Sequence, residues 1–340
     1  MRRGGQGMKR IAFVGVVAVA LAAQAAGPVS VPAPDSADQP ARPPPPKPLL
    51  PPDLVPTRGD MAYGLHRSNQ MDFWAAKGPG PKPAVLWVGG YRFREVEKRK
   101  VPPDFLRACR AAGVSVASIT YRLPLEAPLP AAMLDGARAV QFLRSQAEAL
   151  DLDARRVAAA GESAGGSVAI WVALHDDLAD PTAEDALARQ SSRVACAAVR
   201  NAQTSFDPRF YRKHNIRYPD GLEDFLALHG VTPDRENAPA SLRQYEESAA
   251  VTHASKSDPP LWLHYDKPQR YMTGQLGPYH PVFGEALKAL LGPLGVACTV
   301  RVGTDAPPEA RDDGAAGREM VEFLRRRLGL GSGTDAASGR

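Results

Sequence analysis

The segment RVAAAGESAGGSVAIWVALH, residues 156–175, constrains this chain more than any other stretch. A strand-forming run, Arg156 to Ala160, meets a helix-forming run, Ala164 to Leu174, with Ser163 at the corner. Gly161 and Gly165 remove the side chains that would obstruct a sharp turn there. Such a turn lifts the Ser163 hydroxyl clear of the sheet and aims the N–H groups of a helix N-terminus at whatever the serine attacks. The G-x-S-x-G spacing gains its weight from the strand before it and the helix after it. The alternative is a structural serine that caps a helix.

The rest of the chain supplies a matching architecture. Ala84–Val88, Val114–Ile119, Val194–Arg200, Leu261–Tyr265 and Cys298–Val302 read as strands. Helices are expected at Asp104–Ala112, Pro130–Leu150, about Pro281–Leu291 and about Asp313–Leu328. In the second of these, Gly136, Val140, Leu143 and Ala147 share one face. Strands alternating with helices predict an α/β fold, a mainly parallel sheet with helices on both faces. Ligands then bind at the carboxyl ends of the strands, where Ser163 sits.

The stretch from about 205 to 258 breaks this rhythm and is too long for an ordinary connection. Its short helical pieces, Gly221–His229 and Ser241–Ala249, and its aromatic residues suit a small cap over the strand ends. A surface insertion without a role is the other reading.

The two ends of the chain read differently. Arg2, Arg3, Lys9 and Arg10 precede an apolar run, Ile11–Ala23, and Ala23-Gln24-Ala25 offers a small-x-small cleavage site. Residues 1–25 therefore read as an export signal, which places the mature protein in the periplasm or outside the cell. Thirteen apolar residues fall short of the roughly twenty that span a bilayer, so no stable membrane insertion is expected after cleavage; an uncleaved anchor is the alternative. Residues 28–56 hold 12 prolines, and 26–58 read as a linker, because such a stretch builds no packed core. The main domain is expected over 59–330, followed by a frayed tail at 331–340.

The net charge of +5 is concentrated in the first residues; without those four cations, 38 basic residues face 37 acidic ones. That balance gives no reason to expect a nucleic-acid partner. Cys109, Cys196 and Cys298 form no disulfide framework, and their spacing fits no metal site, although one pair could bond in an oxidising compartment.

Three stretches carry a family resemblance. They are YGLHRSNQMDFW (Tyr63–Trp74), ITYRLPLEAPLPAAMLDGARAVQFLR (Ile119–Arg144) and LDARRVAAAGESAGGSVA (Leu152–Ala169). Together they resemble the α/β-hydrolase superfamily, and within it exported bacterial carboxylesterases and lipases of the hormone-sensitive-lipase and feruloyl-esterase-like kind. The likeness runs from about Ala62 to Leu328, with Tyr63–Trp74 similar to the family's opening hairpin. It implies the α/β-hydrolase fold, a serine nucleophile at Ser163, and no metal or organic cofactor. The family's oxyanion loop falls on Gly89-Gly90-Tyr91-Arg92. Backbone N–H groups at Gly90, Tyr91 and Ala164 would then hold the oxyanion. Here the usual His-Gly-Gly-Gly pattern is altered, and a bulky residue is disfavoured wherever the loop needs positive φ. Arg92 could meet a substrate carboxylate or form a surface ion pair.

The resemblance also implies a histidine after the last strand, but the chain has none beyond His280. Serine needs a base at neutral pH, and imidazole has the suitable pKa. His280, in the loop after Leu261–Tyr265, is the leading candidate, with His214 and His253 as rivals from the cap. Asp266 is the leading orienting acid, with Asp207 and Asp305 as rivals. Two functions stay open. One is a serine hydrolase that cleaves small-molecule or carbohydrate-linked carboxylic esters through an acyl-enzyme on Ser163. The other is a degenerate relative that keeps the fold and binds without turnover.

Overall fold

The structure is a computed structural model, and it describes residues 50–90, 92–303 and 313–331. Residues 1–25, expected to be an export signal, most of the proline-rich stretch, Tyr91, Asp305 and the tail beyond 331 lie outside the described residues. Eight strands form one sheet. They are β1 (Arg58–Ala62), β2 (Gln70–Trp74), β3 (Lys82–Val88), β4 (Ser115–Ile119), β5 (Leu152–Glu162), β6 (Ala197–Arg200), β7 (Leu261–Tyr265) and β8 (Cys298–Val302). Their spatial order is β1-β2-β4-β3-β5-β6-β7-β8. β2 pairs antiparallel with both β1 and β4, and every pairing from β4 through to β8 is parallel. The opening hairpin begins earlier than Tyr63, because Tyr63 to Asn69 form the turn between β1 and β2.

Helices cover both faces. α1 (Pro103–Ala111) and α8 (Asp313–Arg327) lie on one face; α2 (Ala131–Ser145), α3 (Ser163–Leu174) and α7 (Val282–Leu291) lie on the other. The central strands β3 and β4 are buried along their whole length, as double coverage requires. Ala84, Leu86 and Val88 of β3 join the α2/α3 core, while Val85 and Trp87 join the α1/α8 core. α3 is buried from Ala164 to Leu174, so its sequence shows no polar face.

The domain starts before residue 59. Leu54 is buried in the α1/α8 core, and its carbonyl accepts the Trp74 indole N–H at 2.7 Å. The last prolines of the expected linker therefore flank a docked segment. Between β6 and β7 lie α4 (Pro208–Lys213), α5 (Leu222–Ala227) and α6 (Pro239–Ser248), the expected cap. Cys109 and Cys196 are buried free thiols and Cys298 is a half-buried one. Among the described residues, no helix is long and apolar enough to cross a membrane.

Candidate active site

Ser163 stands at the junction of β5 and α3 with φ +53°, a left-handed conformation that strains a non-glycine residue by about 1–3 kcal/mol. The surrounding packing holds it there. A Cβ at Gly165 would overlap the backbone carbonyls of Val88 and Gly89, and one at Gly161 would overlap Val88 and Gly165. The end of β3 therefore presses directly on the corner. As the second residue of α3, Ala164 has an N–H with no acceptor inside the helix.

The loop after β3 is shaped by a second close approach. Gly90 has φ +144°, and a Cβ there would strike the Tyr121 hydroxyl, which donates to the Gly89 carbonyl at 3.0 Å. Arg92 and Phe93 also have positive φ, 52° and 54°, so both carry backbone strain, and Arg92 does so at the last glycine position of the pattern laid on Gly89–Arg92. Phe93 is compensated by burial against Tyr121 and Phe206. Arg92 forms an ion pair with Asp220 of the cap.

Ser163 and Tyr279 line two clefts. One, with about 590 Å³ of open space, is walled by Phe93, Phe206, Tyr211, Phe225 and Leu228. Most of that wall is contributed by the cap. Arg94, paired to Asp224 at 2.6 Å, stands on its rim beside the Arg92–Asp220 pair. The other cleft has about 1330 Å³ of open space and is lined by Glu95, Glu97, Lys100, Glu162, Asn201 and Asp266, among others. Burial holds the Glu162 carboxyl above the usual carboxylate range, with Arg200 opposing.

The side-chain partner of Ser163 is Tyr279, with the two hydroxyl oxygens 3.2 Å apart. Sequence reasoning missed this tyrosine, although it adjoins His280 in the string Gly-Pro-Tyr-His-Pro. It also missed Gln203. That buried side chain donates to the Pro278 carbonyl at 2.7 Å, and its backbone N–H donates to Ser167 Oγ at 3.1 Å. The Ser167 hydroxyl in turn lies 3.2 Å from the Ser163 carbonyl. Gln203 thus ties α3 to the loop that carries Tyr279.

The structure does not join Ser163, His280 and Asp266 in one hydrogen-bonded chain. His280 Nδ1 accepts the Val282 N–H at 3.1 Å, and Nε2 is buried without a partner. A neutral ring that accepts at Nδ1 carries its proton at Nε2. Burial, reinforced by the nearby charge of Arg270, pushes the His280 pKa below the ordinary imidazole value. Asp266 accepts from Arg200 at 2.8 Å and from Asn201 at 2.7 Å, and lies 3.3 Å from His264 Nδ1. Burial alone would raise its pKa, but hydrogen bonds from His264, Arg200 and Asn201 hold the carboxyl well below the usual range.

Strand parity explains the separation. Glu162, Arg200 and His264 stand in register across β5, β6 and β7. They share the parity of Ala160, Ala198 and Trp262, which face the α1/α8 core. Asp266 accepts from Arg200 and lies 3.3 Å from His264, whereas His280 leads into α7 on the other face. The rival residues are engaged elsewhere: His214 packs on Phe210, His253 packs on Trp171, and Asp207 caps α4 while pairing with Arg209.

Several known proteins are similar to this chain. A protein of Pseudomonas putida named "Ethyl acetate hydrolase" is 45% identical over 62 residues, covering 18% of this chain and 20% of that protein. The "Probable carboxylic ester hydrolase LipM" of Mycobacterium tuberculosis is 23% identical over 211 residues, 60% of this chain and 46% of that one. This chain therefore spans less than half the length of these curated relatives. A solved structure, "Truncated form of carbohydrate esterase from gut microbiota", superposes with a TM-score of 0.64 at 16% identity, covering 80% of this chain and 95% of that one. This likeness and the sheet order show the α/β-hydrolase fold. The BD-FAE family profile matches residues 71–267, more than half of the chain, from Met71 in β2 to just past β7, so the protein belongs to the BD-FAE family of the α/β-hydrolase superfamily.

Proposed function

We propose that this protein hydrolyses carboxylic esters through an acyl-enzyme on Ser163. The observation that carries the reading is the strained serine, fixed at the carboxyl edge of the sheet and open to two clefts, one walled by aromatic rings and one rimmed by carboxylates and Lys100. Ser163 Oγ attacks the ester carbonyl and loses its proton, and the alcohol leaves with a proton. Water then attacks the acyl carbonyl and releases the acid and the free serine. Backbone N–H groups of Ala164 and of the Gly90–Tyr91 segment stabilise the oxyanion. The Tyr279 phenol, already touching Oγ, stays within reach of the developing charge.

In this reading the proton is handled by the loop after β7. His280 acts as a base at Nε2 once Val282 releases Nδ1, because only then can the ring hold its proton on the other nitrogen. Asp266 contributes a fixed negative charge to the cleft lined by Glu95, Glu97 and Lys100. The aromatic cleft suits a small acyl or aryl group, and the carboxylate and amide side chains of the other cleft suit a hydroxyl-rich alcohol such as a sugar. The names carried by the similar proteins, an ethyl acetate hydrolase and a carbohydrate esterase, agree with that division. The basic–apolar–small-residue order of residues 1–25 supports export, and N-terminal sequencing of the mature protein should begin near Ala26.

A binding role without turnover is the second reading. It is favoured by the fact that, among the described residues, no imidazole hydrogen-bonds Ser163. Turnover of p-nitrophenyl acetate separates the two. The wild type should exceed Ser163→Ala by about 10³-fold or more. Equal rates would leave the binding reading standing.

A further inference from the structure

A second cluster of chemically able side chains lies at the far end of α3. His175 follows that helix, Glu247 belongs to α6, and His253 closes the short helical turn Ala250–His253. Each brings a ligand-capable atom to within 4.8 Å of the other two. The hydrogen bonds around the rings fix their neutral tautomers. His175 Nδ1 lies 2.9 Å from the Asp176 carbonyl, which can only accept, so the lone pair sits on Nε2. That lone pair lies 3.3 Å from Glu247 Oε1. His253 Nε2 meets the Glu247 carbonyl at 2.8 Å, which leaves its lone pair on Nδ1. The same carbonyl takes the Trp171 indole N–H at 2.7 Å, and the Trp171 ring stacks on His175 with centroids 4.1 Å apart.

Two acceptors facing each other at 3.3 Å repel unless positive charge lies between them. Zinc with donors at ~2.0–2.2 Å in a tetrahedron places those donors about 3.3 Å apart. Two imidazoles and a carboxylate suit zinc, whereas magnesium and calcium favour oxygen alone. Imidazoles whose other nitrogen donates to a carbonyl are also oriented as metal ligands usually are. We propose that His175, Glu247 and His253 bind one zinc ion that clamps the end of α3 to the cap. The sequence conceals this site, because Glu247 lies 72 positions from His175 and the three residues follow no compact spacing.

The competing state is a proton on His175 that forms a simple ion pair with Glu247. Calorimetric titration of untagged, chelator-treated full chain with zinc chloride decides between them. The expected result is one ion per chain and a Tm increase of about 5 °C at hundredfold excess over Kd. Glu247→Gln and His253→Asn should each raise Kd by about tenfold or more and remove most of the Tm increase. Glu247 is half exposed, so its variant keeps the fold, which circular dichroism verifies. Absence of zinc binding by the wild type would overturn the proposal. So would binding with unchanged Kd in both variants, which would place the ion elsewhere.

Discussion

The corner at Ser163 and the loop after β7 both reach the candidate site, yet they are held in different ways. The corner is wedged between β3 and β5, with a fully buried helix behind it and no room for a single added carbon at Gly165. The loop rests on a few hydrogen bonds. Leu276 N–H donates to Asn215 and Arg217 N–H to Leu276, both at 2.9 Å, while Gln203 reaches Pro278. Its tip, at Met272, is fully exposed. Close packing sets the attacking atom, whereas a sparse polar network sets the groups that meet it. Position is therefore costly to change on one side and adjustable on the other.

The largest test of that contrast is Gly165→Ala. Its Cβ would meet backbone carbonyls that cannot rotate away, so unfolding in urea should show a loss of about 3 kcal/mol or more. A loss below about 0.5 kcal/mol would mean that the corner is not close-packed.

A histidine locked in the cap should also differ from His280 in the loop after β7. His229, buried in the cap beside Ser248, is held down to about 4 by burial. Its stabilising contribution is complete above the unfolded value of about 6.5. It is lost as pH falls toward 4, a change of up to about 3 kcal/mol across that window. Thermal unfolding from pH 7 to 4 should therefore be less acid-sensitive in His229→Gln than in wild type, while His280→Gln changes the slope less.

Tyr279→Phe should lower p-nitrophenyl acetate turnover about tenfold, near 1.4 kcal/mol, with little change in Tm. An unchanged kcat would make the contact with Ser163 incidental. The smallest effect belongs to the tip, where Met272→Ala should change neither stability by more than about 0.5 kcal/mol nor turnover.

Most of the scaffold was legible in the sequence because hydrophobic period and glycine placement report packing directly. β7 and β8 match the expected strands end to end, and Gly161-Glu162-Ser163-Ala164-Gly165 sits at the expected corner. The domain start was hidden because Leu50 and Leu54 lie in two short apolar pairs, Leu49-Leu50 and Leu54-Val55, among prolines, and only tertiary contact shows that they are buried. The partners of Ser163 were harder still. Chain order placed Asp266 and His280 after the same strand, but strand parity sent Asp266 toward Arg200 and His264. Tyr279 and Gln203 belong to no local motif. Gln203 meets α3 from just beyond β6 and Tyr279 from the loop after β7, and no periodicity in the sequence encodes that meeting.

The central claim is that packing presents Ser163 as a reactive nucleophile. Incubation with a fluorophosphonate probe near neutral pH, followed by intact and peptide mass measurement, tests it directly. A single adduct should form, map to Ser163, and be absent from Ser163→Ala of unchanged circular dichroism. A wild-type chain that stays unlabelled, or an adduct on any other residue, would contradict it.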